Sequence, residues 1–304
     1  MLTYTGAISL YDKLTNNSES ANETLGATLI NEGVRLMISD IAWPFLEKNV
    51  TINTVASQQF YEIPADAQKV LTATITVGTT LYRPIPVFSR DAWDQLNAAT
   101  GTTGDSVSYY YVFGSQIGFW PIPATSSNTI TVNYIKQVRD ISVADYTTGA
   151  IVTATNGDET IEGTSSPAWT ANMAGKYLRI THTNAANTGD GIWYEISSIT
   201  DSDTLELVDP YLGTSISAGA ASYTIGDAMI IPESYQMGPV YFAVSEYWRA
   251  NGDESRADRY EKKFYDLLEQ MRSDEGRKTT DPSVDEGFAD RFNNNPNLYL
   301  RNIS

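Results

Sequence analysis

Residues 114–137 read GSQIGFWPIPATSSNTITVNYIKQ, and this stretch decides how the first half of the chain is interpreted. Two runs of alternating apolar and polar residues flank the segment Trp120-Pro121-Ile122-Pro123, which leads into the polar stretch TSSN. Alternation is typical of a half-buried strand, and proline interrupts strand pairing because it has no N–H to donate. The pattern predicts a β-hairpin whose first strand ends at Trp120. We expect the ring of Trp120 to cover the hydrophobic core at the end of that hairpin.

The residues before this stretch predict one long helix and several short β elements. Helical spacing of apolar residues begins near Glu19 and ends at Trp43-Pro44, because a residue that precedes proline avoids helical geometry. The apolar face of this helix is expected to contain Leu25, Leu29, Leu36, Met37 and Ile41. Strands are expected in QQFYEIPADAQKVLTATITV and in LYRPIPVFS, whose prolines favour an edge position. Ser89 is expected to cap a short helix, RDAWDQLNA.

Residues 142–227 have a different pattern. Six short β-patterned runs are separated by turn residues, without a helical period: AIVTAT, DETIEG, YLRITH, GIWYEISSI, TLELV and ASYTI. This segment holds eleven acidic and two basic residues, a net charge of −9 in a chain of −17. Short strands at this spacing are typical of a small β-sandwich or barrel. We interpret the segment as an all-β module inserted into a host domain.

Helical periodicity returns after Pro232. Two helices are predicted on either side of the turn Asn251-Gly252-Asp253. The second helix has an apolar stripe, interpreted as a core-facing surface, that consists of Ala257, Tyr260, Phe264, Leu267, Leu268 and Met271. The final stretch has no period and contains three consecutive asparagines, so it is predicted to be an extended arm.

These elements predict an α+β fold. A helical hairpin and an N-terminal helix are expected to pack with antiparallel β elements in a core of residues 1–141 and 228–275. The inserted β-domain is expected at 142–227 and the C-terminal arm at 276–304.

Several kinds of chemistry have no support in the sequence. The chain has no cysteine and a single histidine, His182, so no thiolate site or two-histidine metal site is expected. Glycine-rich phosphate loops are absent, and the acid pairs Asp158-Glu159 and Asp201/Asp203 sit where turns are expected. No catalytic residue, metal or cofactor is predicted.

The charge and the N-terminus limit the expected partners. A net charge of −17 disfavours binding to nucleic acid through its phosphates. No apolar run approaches the length of a bilayer-spanning helix, and the N-terminus lacks the features of a signal peptide. We therefore expect no membrane partner and no Sec export.

Four stretches occur in a characteristic order: the helix that ends near Trp43-Pro44, the step Tyr61-x-Ile63-Pro64-x-Asp66, IGFWPIPA followed by ITVNYIKQ, and the Gly252-Asp253 turn. This order resembles the head-to-tail adaptor (connector or neck) proteins of tailed bacteriophages. The resemblance covers residues 19–137 and 232–275. The segment 142–227 is also similar to a β-module of such virion proteins.

The resemblance implies a structural role in the neck of the virion, after assembly in the host cytoplasm. Such adaptors form a ring, typically dodecameric, below the portal, where they extend or seal the DNA channel and provide a platform for tail proteins. The implied partners are further copies of the chain, the portal protein and a nozzle or tail-tube protein, with fibre proteins as additional candidates. Genomic DNA would pass through without specific binding.

Two sets of contact residues follow from this resemblance. The arm is expected to bind the portal through Phe288, Phe292, Tyr299 and Leu300. Lateral contacts in the ring are expected to use cations of the second hairpin helix against acids of a neighbour, and these cations are Arg256, Arg259, Lys262 and Lys263.

Two other functions stay open at this point. The chain could be a different virion part, such as a tail-tube, stopper or fibre-attachment protein, that binds through its β-module. It could also be a polysaccharide-degrading tail enzyme. The helical hairpin with its polar arm favours the adaptor, and the absence of a convergent set of acid, histidine and metal ligands weighs against the enzyme.

Overall fold

The computed structural model describes residues 1–98, 103–183, 188–217 and 219–275. Within these ranges the chain forms five α-helices and fourteen β-strands, so it is an α+β protein. It divides into two compact units: one contains Met1–Asp40 with Asp140–Ser273, and the other is built on Ile41–Arg139. The domain bounds expected from the sequence stay a prediction.

The unit built on Ile41–Arg139 is a sandwich of two four-stranded sheets. The first sheet is antiparallel, in the order β1 (Glu47–Asn53), β8 (Thr129–Lys136), β3 (Ala67–Val77) and β4 (Thr80–Tyr82). The second has the order β2 (Phe60–Glu62), β7 (Gln116–Trp120), β6 (Tyr109–Phe113) and β5 (Ile85–Pro86). Their buried residues form one core, which includes Tyr61, Ala73, Ile75, Tyr110, Ile117, Phe119, Ile130 and Val132.

The predicted hairpin over residues 114–137 is wrong, although both of its strands exist. β7 pairs with β6 and β2, whereas β8 pairs with β1 and β3 in the other sheet. The reason lies in the two connections. Gly114, with φ 56°, makes a tight turn that returns β7 onto β6, while Pro121 and Pro123 deny N–H groups to the segment after β7. The Trp120-Pro121 peptide bond is cis.

Trp120 lies at the margin of the sandwich. Its side chain is half-buried and its ring centroid is 5.9 Å from that of Tyr109. The indole Nε1 is buried and has no hydrogen-bond partner in the described part of the chain. The ring therefore packs at the end of the β6–β7 hairpin, beside the core and not at its centre.

The predicted short helix is confirmed, but the single strand expected in LYRPIPVFS is wrong, because its first residues belong to β4 in one sheet and the following ones to β5 in the other. α3 (Arg90–Ala98) follows Ser89 and buries Trp93 completely. β5, in the stretch with two prolines, is the edge strand of its sheet and runs parallel to β6.

The unit that contains Met1–Asp40 and Asp140–Ser273 combines helices with a six-stranded sheet. Its helices are α1 (Tyr4–Thr15), α2 (Ser20–Ser39), α4 (Met237–Ala250) and α5 (Glu254–Glu275). The α4–α5 hairpin confirms the two predicted helices around Asn251-Gly252-Asp253. α1 was not expected, although Thr3 caps it by accepting a hydrogen bond from the backbone N–H of Gly6.

The apolar face expected for α2 is confirmed at Met37, which is buried, but it is wrong at Leu25 and Leu36. Leu25 and Leu36 are each 44% exposed, whereas Gly26 and Gly33 are buried. A Cβ atom at Gly26 would lie 2.5 Å from the ring of Tyr11, and one at Gly33 would lie 2.9 Å from Cα of Pro239. α2 therefore packs through a glycine-containing face that lets α1 and α4 approach closely.

All six β-patterned runs of the predicted module are strands. Their order in the sheet is β14 (Tyr223–Gly226), β11 (Tyr177–Ile180), β12 (Trp193–Ile199), β13 (Thr204–Leu207), β10 (Thr160–Thr164) and β9 (Ala150–Ala154). The two edges also meet, because Ile151 and Ala154 exchange backbone hydrogen bonds with Ala221 and Ile216, just before β14. The sheet closes on itself around a single apolar core.

Candidate interaction surfaces

The α4–α5 hairpin is held by its inner face. Ala257, Phe264, Leu268 and Met271 of α5 are buried, which confirms the central part of the predicted stripe. The ring of Phe264 lies 5.4 Å from that of Phe242 on α4. The opposite face of α5 carries charged residues and is available for contacts with other molecules.

The four cations predicted for lateral contacts are all on α5, but they fall into two pairs. The Arg256 guanidinium lies over the Trp248 ring, 4.4 Å from its centroid, and pairs with Asp253 at 3.2 Å. The Lys263 ammonium lies 5.0 Å from the ring centroid of Tyr241 and 4.8 Å from that of Tyr260. Both cations therefore have partners within their own chain.

Arg259 and Lys262 differ from that pair. Both are exposed, and neither has an ion-pair or aromatic partner among the residues for which the structure gives positions. An exposed cation without an internal partner keeps its full capacity to bind an acid on another molecule. Of the four predicted residues, these two are the better candidates for contacts between subunits.

Further ion pairs lock the helices and were not predicted. Arg249 on α4 binds Glu246 at 2.6 Å and Glu261 on α5 at 2.7 Å. The hydrogen bond that the Arg249 guanidinium donates to Glu261 raises the pKa of this guanidinium further above its usual value, so its charge is permanent. Arg272 of α5 also pairs with Asp40. These contacts fix α5 so that its outer face is presented in one orientation.

The helical unit also has exposed apolar residues. Leu25 and Leu36 project from α2, and Tyr265 on α5 is 56% exposed. Single exposed apolar residues of this kind are common on protein surfaces and do not by themselves define a binding site.

An open groove lies in the sandwich unit between β3 of one sheet and β5–β6 of the other. It consists of two adjoining cavities of about 400 Å³ each, and both are lined by Pro86 and Tyr110. Phe88 lies on its rim and is 91% exposed. The sequence did not predict this groove.

The segment 142–227, which contains the six-stranded sheet, carries −9 of the net charge of −17, and acids in its turns follow turn chemistry. Oδ1 of Asp201 accepts a hydrogen bond from the backbone N–H of Asp203 at 3.0 Å, in the turn between β12 and β13. Within the described ranges, no group of three or more His, Asp or Glu residues is placed to hold a metal ion. No described helix is both long and apolar enough to span a membrane.

The residues predicted to bind the portal lie outside the described residues. These are Phe288, Phe292, Tyr299 and Leu300. Their role stays a prediction.

Comparison with known proteins identifies the family. The family model described as SU10 adaptor protein matches residues 3–158, which is just over half of the 304-residue chain. The match includes the unexpected α1, the whole sandwich and β9, but not the α4–α5 hairpin. No curated protein matches the chain. The chain therefore belongs to the SU10 adaptor protein family, and it is a structural adaptor protein of a bacteriophage virion.

Proposed function

We propose that this adaptor forms a ring, of twelve copies as is typical of such proteins, beneath the portal in the neck of the virion. The ring extends or seals the DNA channel and provides the platform to which a nozzle or tail-tube protein, and fibre proteins, attach. Family membership over residues 3–158 is the observation that carries this proposal. Assembly takes place in the host cytoplasm.

The charges on α5 support the ring. A closed ring requires two different patches on each copy, because every subunit contacts one neighbour through one patch and the other neighbour through the second. Arg259 and Lys262 supply an unpartnered basic patch. The acidic surface of residues 142–227, with eleven acids and two bases, supplies an opposite charge on the same chain. Complementary charges of this kind increase the rate and specificity of association.

The overall charge supports passage of DNA without specific binding. Nucleic-acid affinity rises with the number of phosphates that a protein neutralises, and this chain has 37 acidic residues against 20 basic ones. An acidic channel wall repels the duplex and limits adhesion during ejection.

The arm of residues 276–304 is proposed to bind the portal. The side chains proposed to make this contact are large and apolar in a polar setting, and they are Phe288, Phe292, Tyr299 and Leu300. Buried aromatic anchors contribute most of the binding energy in many interfaces, and a polar segment can order when it binds.

Deleting 276–304 tests the arm directly. We expect the shortened chain to lose portal binding, measured by co-sedimentation with purified portal. Its thermal melt should match that of the full chain, because the deletion leaves every described helix and strand in place. Undiminished portal binding by the shortened chain would refute the role of the arm. Binding to purified tail tube instead of portal would favour a different virion part.

A further inference from the structure

The groove in the sandwich is large enough to receive a side chain from another segment. It lies where the two sheets separate, between β3 and the β5–β6 pair, and its two cavities measure about 400 Å³ each. Its apolar lining includes Ile63, Val70 and Val87, with Phe88 on the rim. Cavities of several hundred cubic ångströms are large enough to bury aromatic groups.

The polar groups of the groove favour an acidic occupant. Lys69 and Arg83 line it, neither has an ion-pair partner in the ranges the structure covers, and no acid is among the lining residues. Tyr110 lines both cavities and is 5% exposed, and its hydroxyl has no hydrogen-bond partner within those ranges. Residues 41–139 contain six acids and six bases, so this unit is neutral in a chain of net charge −17.

The edge strand β5 beside the groove cannot pair with a further strand from a partner. β5 directs the N–H groups of Ile85 and Val87 to carbonyls next to and within β6, at 2.8 Å each. Pro84 and Pro86, which alternate with them, have no N–H to offer on the outer edge. A partner therefore cannot add a regular strand here and must bind through its side chains.

We propose that the groove binds residues 281–292 of a neighbouring copy in the ring. This segment, DPSVDEGFADRF, has four acids and one base, and it carries Val284, Phe288 and Phe292. Its charge and its aromatic side chains complement the two bases and the apolar lining of the groove. Segment and groove are thus two different, complementary patches on one chain, which is what a closed ring requires.

This inference rests on the proposed ring, and it divides the arm between two partners. Phe288 and Phe292 bind the neighbouring copy, while Tyr299 and Leu300 remain for the portal. Aromatic anchors in apolar pockets supply the affinity, and the acids supply orientation toward Lys69 and Arg83.

A binding assay tests the groove without the ring. A fluorescent peptide of residues 281–292 is titrated with the full chain at a concentration where the chain is monomeric, and anisotropy is measured. We expect saturable binding that Arg83→Glu weakens about tenfold and Phe88→Ala weakens similarly. Lys13→Glu, the same charge change on α1, should leave the affinity unchanged. Phe88→Ala should not change the thermal melt, because that side chain is 91% exposed.

Two controls make this assay decisive. The same peptide with its four carboxylates replaced by amides should bind at least about tenfold more weakly. Tyr110→Phe should also weaken binding, because it removes a hydroxyl that is free to form a hydrogen bond with the peptide and leaves the ring in place. Absence of binding, or equal weakening by Lys13→Glu and Arg83→Glu, would overturn the inference.

Cross-linking identifies which copy supplies the segment. A photoreactive amino acid replaces Phe88 in the full chain, and equal amounts of ¹⁴N and ¹⁵N protein are assembled on purified portal. Cross-links to 281–292 that join light and heavy copies support the inference. Cross-links only within one copy, or none to this segment, overturn it. A ring that forms without these cross-links refutes the inference and leaves the proposed function intact, whereas absence of a ring despite peptide binding refutes the proposed function.

Discussion

Replacing the two cation pairs on α5 should have opposite effects: one replacement should lower stability, and the other should prevent ring assembly. Two double variants are compared: one combines Arg256→Glu with Lys263→Glu, and the other combines Arg259→Glu with Lys262→Glu. Each changes the net charge by −4 on the same helix. The first pair loses contacts that the structure shows, because Arg256 lies 4.4 Å from the Trp248 ring centroid and Lys263 lies over two tyrosines. Exposed cation–π contacts contribute about 0.5–1 kcal/mol each.

The expected free energies follow from those contacts. The Arg256/Lys263 variant should lose about 1–2 kcal/mol of unfolding free energy, including a small term for the exposed ion pair with Asp253. For a unit of this size that corresponds to a decrease in Tm of roughly 2–8 °C. The Arg259/Lys262 variant should change the unfolding free energy by less than about 0.5 kcal/mol, since neither side chain has a described partner to lose.

Ring assembly should be affected in the opposite order, with the larger effect in the Arg259/Lys262 variant. We expect the Arg259/Lys262 variant to remain monomeric on mixing with purified portal, while the Arg256/Lys263 variant still forms rings. Chemical denaturation measures stability, and negative-stain microscopy with mass photometry measures assembly. Rings from the Arg259/Lys262 variant at wild-type yield would refute the assignment of lateral contacts to this pair.

Three further predictions concern the folded units. Phe264→Ala should destabilise the helical unit by about 3–5 kcal/mol in chemical denaturation, whereas the adjacent, exposed Tyr265→Ala should cost under about 1 kcal/mol. Gly33→Ala should lower Tm although alanine favours helices by about 1 kcal/mol, because its Cβ would meet the backbone of α4 at 2.9 Å; a higher Tm would contradict this packing. Burial, together with a neighbouring carboxylate for Tyr194, raises the pKa of Tyr194 and Tyr223 to about 12 from 10.0. The stability that these two tyrosines contribute is therefore fully present below pH 10 and is lost from pH 10 to 12, and replacing both by phenylalanine should reduce this loss.

Local patterns located the strands well but did not identify their partners. All six strands of the module were predicted because turn residues separate short alternating runs, and these signals are local. The pairing of β7 and β8 was wrong because adjacency in sequence does not determine the sheet to which a strand belongs. Residues 114–137 contribute one strand to each sheet of the sandwich, so the stretch links the two sheets and does not form a hairpin.

Packing by small residues was the other feature that hydrophobic periodicity missed. Leucines on α2 suggested the buried face, but Gly26 and Gly33 occupy it because neighbouring helices approach too closely for a side chain. The cations of α5 were found from charge alone, and only the structure separates Arg259 and Lys262 from the pair that binds aromatic rings. The groove beside Phe88 depends on how far two sheets separate, which no single segment encodes.

Electron microscopy of the protein mixed with portal shows directly whether this adaptor forms a ring beneath the portal. Full-length protein is mixed with purified portal, and the complex is imaged by electron microscopy with its mass measured in parallel. We expect a closed ring of adaptor subunits on one end of the portal, with the protein alone monomeric or weakly associated. A chain that stays monomeric beside the portal, or that binds it as isolated subunits without closing a ring, would contradict this expectation.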